Sequence, residues 1–240
     1  MRIGILADLH GNLPAWNVLH ASFKEYGVEQ ILNLGDTAGL GPDTGEVIDA
    51  LASSNTPMIH LYGNHDLSIL GTETKQEELI RPLEIEHHAY VKERLSDAQR
   101  SWLSLLKETH TFDTPSGAVK ACHYAIAENG RYYPVLFDPT KDDLHTRFAP
   151  DSEQMILYGH HHQPLVIGTR PVFANPGSAG CPHQRAGVAR AGILEIKDTS
   201  NLFIPVLETY DAEPVIRRIY KSEDPQKWST LSIFFGVHVS

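Results

Sequence analysis

The chain has 240 residues, 41% of them hydrophobic, which is enough for one globular domain with a sizeable core. It carries 30 acidic and 20 basic side chains, so its net charge is −10. A surface with this balance repels the backbone of long nucleic acids unless a local site overrides it. We therefore predict a single domain over residues 1–240 that folds without a partner, and nucleic acid is a disfavoured substrate.

The cysteines and the N-terminal segment indicate the cellular compartment in which the protein is expected. Cys122 and Cys181 could form one disulfide at most, and their spacing is typical neither of a metal clip nor of a redox pair. The first apolar stretch is short and is interrupted by Asp8 and His10, unlike the longer apolar segment of a signal peptide. No segment approaches the roughly 20 apolar residues of a membrane span. We expect a soluble cytoplasmic protein with reduced thiols and no membrane partner.

The first third of the chain alternates between strands and helices. An apolar run at residues 2–7 predicts a buried strand, and apolar positions at helical spacing follow over residues 13–26. The pattern recurs at residues 30–34, where a short strand again precedes a helix, and a third strand is predicted over residues 57–62. Alternation of this kind favours parallel pairing in an α/β fold, with reactive loops at the carboxyl ends of the strands.

Residues 72–107 are charged and predict two or three helices that flank this edge. The side chains expected to point inward there are Leu79, Leu83, Val91, Leu95, Trp102 and Leu106.

After Gly117 the composition becomes strand-like, which implies a second sheet. Strands are predicted in this part of the chain at residues 119–123, 154–158, 165–167, 171–174, 187–196 and 202–210, and a last helix at 211–220. We expect the apolar tail at residues 231–239 to insert into its own sheet, although it could instead cover a sheet edge or a neighbouring subunit.

Five polar clusters recur along the chain, and four of them follow or end predicted strands. They are Asp8 with His10, Gly35 with Asp36, the run Gly63 to Asp66, the isolated His123, and the run Gly159 to His162. Since residues i and i+2 of a strand point the same way, Asp8 with His10, and His160 with His162, could each present two ligands to one point. One such pair alone is more often a cap or a satisfied polar group. The repetition favours metal binding.

In this order the motifs resemble those of the calcineurin-like metallophosphoesterases. The resemblance runs from Asp8 to His162 and continues into the Asn-Pro-Gly-Ser sequence at residues 175–178. It implies an α/β fold of two packed mixed β-sheets flanked by helices, a four-layer α/β/β/α sandwich. It also implies two metal sites, one held by Asp8, His10, Asp36 and His162, the other by Asp36, Asn64, His123 and His160. Oxygen and imidazole ligands without thiolate suit manganese, iron, zinc, cobalt or nickel.

The resemblance implies hydrolysis of a phosphomonoester or phosphodiester at two divalent cations bridged by Asp36, with a hydroxide between them as nucleophile. His65 is the residue expected to protonate the departing oxygen or to stabilise the phosphoryl oxygens. Asp66 could orient His65, and Asn64 could also touch the substrate. The implied substrate is a small phosphorylated molecule such as a nucleotide.

Three further features are expected to be peripheral. Many relatives have an acid three residues after the bridging Asp, where this chain has Gly39, so polar support at that point is reduced. The loop at residues 175–180 could offer backbone N–H groups to a phosphate, but turn chemistry explains it equally well. Arg185 could hold a phosphate oxygen.

Four other polar or aromatic positions are expected to lie outside the ligand set. His161, between two proposed ligands, should point away from the metals. His87 and His88 lie in a charged helical stretch and are predicted to be surface residues, although a cap over the cleft could bring one near the substrate. A core or loop role is expected for Tyr132.

Two other functions compete with hydrolysis. A metal-dependent binding module on the same scaffold would recognise a nucleotide or a protein, but loss of a ligand or of His65 would be expected there, and neither is lost. A nuclease would need a basic stripe that this acidic chain lacks.

Overall fold

The structure is a computed structural model that describes residues 1–71, 82–183 and 185–237. Within these ranges the chain forms ten strands, arranged in two five-stranded sheets, and eight helices. None of the helices in the same ranges has the length and apolar character of a membrane span.

The first sheet is built around strand β1 (Arg2–Leu6). On one side β1 pairs in parallel with β2 (Gln30–Asn33), which pairs in parallel with β3 (Met58–His60). On the other side β1 pairs antiparallel with β9 (Val188–Ile196), and β9 with β10 (Asn201–Thr209). Because β1, β2 and β3 run the same way, the loops that follow them meet at one edge of the sheet.

The second sheet begins with an antiparallel hairpin of β4 (Thr109–Thr114) and β5 (Gly117–Cys122). β5 pairs in parallel with β6 (Met155–Leu157), and β6 with β8 (Val172–Asn175). The short strand β7 (Leu165–Ile167) pairs antiparallel with β8. The loops after β5 and β6 therefore also share an edge.

The helices cover the outer faces of the two sheets. They are α1 (Leu13–Glu25), α2 (Thr44–Ala52), α3 (Asn64–Leu70), α4 (Pro82–Arg94), α5 (Asp97–Ser104), α6 (Lys141–Phe148), α7 (Glu213–Lys221) and α8 (Lys227–Phe235). α1 and α2 pack on the first sheet and α6 on the second. The chain is thus a four-layer α/β/β/α sandwich, which confirms the predicted fold class.

Alternation along β1 divides the core into its layers. Ile3 and Ile5 point into the space between the sheets, where they meet Val119 and Leu157 of the second sheet. Leu6 points the other way, into the cluster under α1. Because side chains alternate faces along a strand, one short segment supplies both cores and fixes the loop that follows it.

Three features of the predicted fold need correction. The strand β4 and the helix α6 were not predicted, since the alternation of Thr, His and Phe in β4 is only half buried and α6 is short and polar. Leu83, expected to point inward, is 41% exposed, whereas Val91 and Leu95 are buried as predicted. Leu79 lies outside the described residues.

Residues 231–235 of the C-terminal tail are helical, so the prediction that this segment inserts into a sheet is wrong. Its apolar side chains follow helical spacing: Leu231 and Phe235 of α8 are buried against Val215 and Ile219 of α7. A helix of this kind buries one face and leaves the other available to the cleft.

Candidate metal centre

The seven side chains predicted to bind metal lie together at the edge where the parallel strands of both sheets end. Asp8 and His10 follow β1, Asp36 follows β2, Asn64 begins α3 after β3, His123 follows β5, and His160 and His162 follow β6. Four of them are almost completely buried, namely Asp8, His10, Asp36 and His123. The shared edge of parallel strands is what brings residues so distant in sequence to one place.

The loops that carry these side chains are strained. Asp8, His10, Asp36, His160 and His162 all have positive φ, between 48° and 67°. For a residue other than glycine, this left-handed conformation costs on the order of 1 kcal/mol or more. Hydrogen bonds between the loops hold it in place, including Asp8 N to Gly35 O at 3.0 Å. Five such residues at one edge are typical of a functional site.

Asp8, His10 and His162 form the first cluster of potential metal ligands. His160 is not part of it, because it groups with His123 instead. The prediction that His160 and His162 present their rings to one point is therefore wrong, since a left-handed loop, not an extended strand, sets their directions. The allocation implied by the family resemblance separates them in the same way as the structure does.

The ring contact between His10 and His162 tests whether this cluster fits a cation. Their Nε2 atoms lie 3.1 Å apart. His10 Nδ1 donates to the carbonyl of Ala38 at 3.2 Å, and His162 Nδ1 donates to the carbonyl of Cys181 at 2.9 Å. Since each Nδ1 must carry the proton, a neutral ring has a lone pair on Nε2, and two lone pairs face each other. A cation between them removes this conflict, so the donor set fits a metal.

The second cluster consists of Asp36, Asn64, His123 and His160. His123 Nε2 lies 3.3 Å from Asp36 Oδ2 and 3.2 Å from Asn64 Oδ1. Its Nδ1 donates to the carbonyl of Leu34 at 3.0 Å. An imidazole nitrogen that faces two oxygen acceptors needs either a proton or a cation between them.

Asp36 belongs to both groups of donors. Its Oδ2 atom lies 3.8 Å from His10 Nε2 and 3.3 Å from His123 Nε2, while its Oδ1 accepts from the backbone N–H of His65 at 2.9 Å. A Cβ on Gly63 would lie only 2.1 Å from Asp36 Oδ1. The glycine therefore allows the carboxylate to lie between the clusters, as a bridging ligand requires.

Burial keeps three of the four cluster imidazoles neutral; His123 is the exception, because the carboxylate of Asp36 outweighs burial and raises its pKa to about 9. Burial lowers the pKa of His10 to about 4 and that of His160 to about 3. Burial also raises the pKa of Asp8 to about 8, because a carboxylate without a cation is poorly solvated there. Neutral rings with free lone pairs beside carboxylates that need a counter-charge are what a divalent cation binds.

Comparison with known proteins decides the family. Residues 1–199 match the family model of the calcineurin-like phosphoesterase superfamily domain. The chain belongs to this superfamily. Two relatives come from Methanocaldococcus jannaschii. The uncharacterised protein MJ0912 is 24% identical over 98% of both chains, and the phosphodiesterase MJ0936 is 25% identical over 81% of this chain and 93% of its own.

A solved structure shows that the fold extends over the whole chain. The hypothetical protein PH1004 from Pyrococcus horikoshii OT3 superposes with a TM-score of 0.78 and covers 99% of both chains, at 21% sequence identity. The family match ends at residue 199, so α7 and α8 lie beyond it.

His65, the predicted catalytic residue of this superfamily member, lies directly beside the first cluster. Its ring centroid is 4.9 Å from that of His10. His65 Nδ1 lies 2.9 Å from His88 Nε2, and its Nε2 lies 3.8 Å from Glu84 Oε1. Burial lowers the pKa of His65 well below its ordinary value, so the ring is neutral.

Asp66 does not orient His65. Its carboxylate accepts hydrogen bonds from the backbone N–H groups of Gly63 at 2.9 Å, Ala38 at 2.9 Å and Thr37 at 3.3 Å. Asp66 thus ties the loop after β2 to the start of α3, which positions Asp36 and Asn64. Its contribution is the geometry of the ligands, and the predicted contact with His65 is wrong.

His87 and His88 were predicted to be surface residues, and this is also wrong. Both are buried in α4. His87 Nε2 accepts from the backbone N–H of Leu40 at 3.0 Å, and its Nδ1 lies 2.8 Å from the carboxylate of Asp224. Sequence reasoning missed these contacts because α4 and Asp224 are distant along the chain from the loop they support.

The loop at residues 175–180 serves the scaffold. Its N–H groups are used within the protein, for example Ala179 N to Ala7 O at 2.9 Å and Gly180 N to Asp8 O at 3.1 Å. The turn interpretation is therefore favoured over a phosphate contact. Arg185 is exposed and is not among the described residues that line the cavity at the metal centre. His161 is buried away from both clusters, and Cys122 and Cys181 are unpaired.

Proposed function

We propose that this protein hydrolyses a phosphomonoester or phosphodiester with two divalent cations, one at each cluster, and Asp36 between them. The observation that carries the proposal is the 3.1 Å approach of two Nε2 atoms, on His10 and His162, beside a carboxylate shared with a second cluster. The relative MJ0936 is a phosphodiesterase, which supports phosphoester chemistry at the coarse level.

Two divalent cations held here would supply Lewis acidity for the phosphoryl oxygens and a water of lowered pKa for the attack. The first would be held by Asp8, His10, Asp36 and His162. The second would be held by Asp36, Asn64, His123 and His160. Manganese, iron, zinc, cobalt and nickel all suit such ligands. The cytoplasmic location stays a prediction from the sequence.

His65 would act through its Nε2 atom. Its Nδ1 atom is within hydrogen-bonding distance of His88. If Nδ1 accepts that hydrogen bond, the proton of the neutral His65 ring lies on Nε2, where it can be donated. A neutral imidazole can donate a hydrogen bond to an oxygen that gains negative charge, but it gives up its proton completely only with difficulty. We therefore favour stabilisation of the phosphoryl or departing oxygen over full protonation of the leaving group.

The proposal is tested by assaying metal-stripped protein with p-nitrophenyl phosphate and with bis-p-nitrophenyl phosphate. Manganese, nickel, cobalt, zinc or magnesium is restored singly, and the Asp36→Asn variant is assayed alongside. Metal-dependent turnover that disappears in the variant is the expected result, and the faster ester identifies the preferred class of bond.

Two outcomes would overturn the proposal. Turnover that persists in metal-stripped protein would contradict a metal-dependent reaction. Stoichiometric metal without turnover of either ester, or of a wider panel of phosphoesters, would favour the binding module on the same scaffold.

A further inference from the structure

A cavity of about 270 Å³ opens in front of the metal centre. It is lined partly by candidate ligands and partly by residues of the helices α4 and α8. Asp36, Asn64, His65, His160 and His162 line the inner side. The opposite side is formed by α4 and α8, through Leu83, Gln226, Ser229, Ile233 and Phe234. We call these five residues the α4–α8 wall.

The α4–α8 wall touches the metal centre directly. The ring centroid of Phe234 lies 5.5 Å from that of His162, at an interplanar angle of 38°. Phe234 also lies beside His183, at a centroid distance of 5.4 Å. A group attached to a phosphate at the metals is therefore within reach of the Phe234 ring.

The position of the wall is fixed by the other face of α8. Leu231 and Phe235 are buried against Val215 and Ile219 of α7, and the helix ends at Gly236 with φ of 65°. Phe234 packs partly against that cluster and also lines the cavity, whereas Ile233 remains 38% exposed. The wall is thus a preformed surface that holds apolar side chains toward the cleft.

The wall has one polar group without a partner. Gln226 Oε1 is buried and has no hydrogen-bond partner. A buried polar atom without a partner costs on the order of 1–3 kcal/mol. A ligand group that donates a hydrogen bond there would remove this cost, so the orphaned amide indicates a ligand that is both apolar and able to donate.

The charge of the cavity limits what else a ligand can carry. Its described lining residues include Asp36 and Glu84 but no lysine or arginine. Metals at the clusters would neutralise one phosphoryl group, but a second anionic group would lie near the carboxylate of Glu84, and the lining residues that the structure describes offer it no lysine or arginine. A polyphosphate or a carboxylated ligand is therefore disfavoured.

We propose that the α4–α8 wall selects phosphoesters whose organic group is a flat, uncharged ring, which stacks beside Phe234 and donates a hydrogen bond to Gln226. This inference rests on the proposed function, because it needs the phosphoryl group at the metal centre. Four of the five wall residues lie beyond the family match at residues 1–199.

Binding of unreactive phosphonates tests the wall without any turnover. Calorimetry on the manganese-loaded full chain compares methylphosphonate, phenylphosphonate and 4-carboxyphenylphosphonate. We expect phenylphosphonate to bind about tenfold tighter than methylphosphonate, the gain typical of burying most of a ring. 4-Carboxyphenylphosphonate should lose most of that gain.

Variants assign the selectivity to the wall. Phe234→Ala and the milder Phe234→Leu should reduce the phenyl-to-methyl ratio to about threefold or less. Trp228→Leu is the control, because Trp228 lies on α8 but contacts Tyr220 and does not line the cavity. It should keep the wild-type ratio, and circular dichroism should show α8 retained in all three variants.

The outcomes separate the two proposals. Equal affinity of the wild type for phenyl- and methylphosphonate, or a ratio that survives in both Phe234 variants, would overturn the wall while leaving the metal centre intact. Failure of every phosphonate to bind metal-loaded protein would instead contradict the proposed function and, with it, the wall.

Discussion

His65 Nδ1 lies 2.9 Å from His88 Nε2, so a histidine of α4 is the hydrogen-bonding partner of the predicted catalytic imidazole. The place where many relatives have an acid is Gly39 here, and a Cβ at Gly39 would lie 3.3 Å from the same Nδ1 atom. Gly39 has no side chain to contact His65 Nδ1. His88, from helix α4, contacts that atom instead.

Replacing His88 by leucine should lower kcat by about 10- to 100-fold with little change in KM, because His65 loses the contact that orients it. The loss should be larger for esters with poor leaving groups than for p-nitrophenyl esters, since a good leaving group needs less help. His88→Gln can keep a hydrogen bond to Nδ1 and should recover part of the rate. Steady-state kinetics over a series of leaving groups measures both effects.

The leaving-group series also separates orientation of His65 from a general structural defect. An equal loss for all esters, with no recovery in His88→Gln, would indicate disrupted packing of α4 instead. A full rate in His88→Leu would show that His65 needs no partner.

Gly63→Ala should abolish tight metal binding. The added Cβ would lie 2.1 Å from Asp36 Oδ1, so either the carboxylate or the start of α3 must move. We expect a loss of about 1–3 kcal/mol in stability from the overpacking. Equilibrium dialysis against manganese and urea unfolding measure the two effects.

Gly45→Ala is the matched control, since its new Cβ would first meet the flexible amide of Gln99, at 3.0 Å. It should bind metal as the wild type does. Wild-type metal affinity in Gly63→Ala would contradict the close approach on which the bridging role of Asp36 depends.

His60 should make the protein less stable in weak acid. Burial lowers the pKa of His60 to about 4 from an ordinary value of 6.5. Between these values the unfolded chain binds more protons than the folded one, so stability falls as the pH drops through this window. The contribution of His60 between pH 7 and pH 5 is about 1–2 kcal/mol.

Urea unfolding of metal-free protein at both pH values measures this effect. His60→Phe keeps an aromatic ring beside Trp102 and should lose less stability than the wild type on acidification. An identical loss in the variant would show that His60 is not responsible.

Metal removal should destabilise the whole domain, because the ligands come from loops of both sheets. At a free metal concentration about 100 times Kd, one site adds about 2.7 kcal/mol. Chelation empties both sites, so for a domain of this size we expect Tm to fall by about 10–20 °C. Differential scanning calorimetry before and after dialysis against chelator measures the shift. An unchanged Tm would mean that the cation does not bind the folded loops.

The meeting of the candidate ligands at one edge could be predicted because its signal is local. Each ligand follows a strand or begins a helix, and motifs such as the Gly-Asn-His-Asp run at residues 63–66 retain that order in the sequence. Strand alternation could not predict that His160 and His162 belong to different clusters. Both residues adopt a left-handed conformation, which the two-residue period of a strand does not describe.

The surroundings of the site depend on packing between distant elements. His88 meets His65 only because α4 lies across α3, and Phe234 meets His162 only because α7 holds α8 in place. Neither contact leaves a periodic signal in the sequence. Helical spacing in the tail was present at Leu231 and Phe235, but the β-favouring residues Ile233 and Phe234 between them concealed it.

The number of metal ions per chain tests the central claim most directly. Wild-type protein and Asp36→Asn are dialysed to equilibrium against manganese, and the bound metal is counted by mass spectrometry. We predict two ions per chain in the wild type and no more than one in the variant, because the shared carboxylate serves both clusters. A wild-type chain that binds one ion or none at saturation, or a variant that retains two, would contradict a dinuclear centre bridged by Asp36.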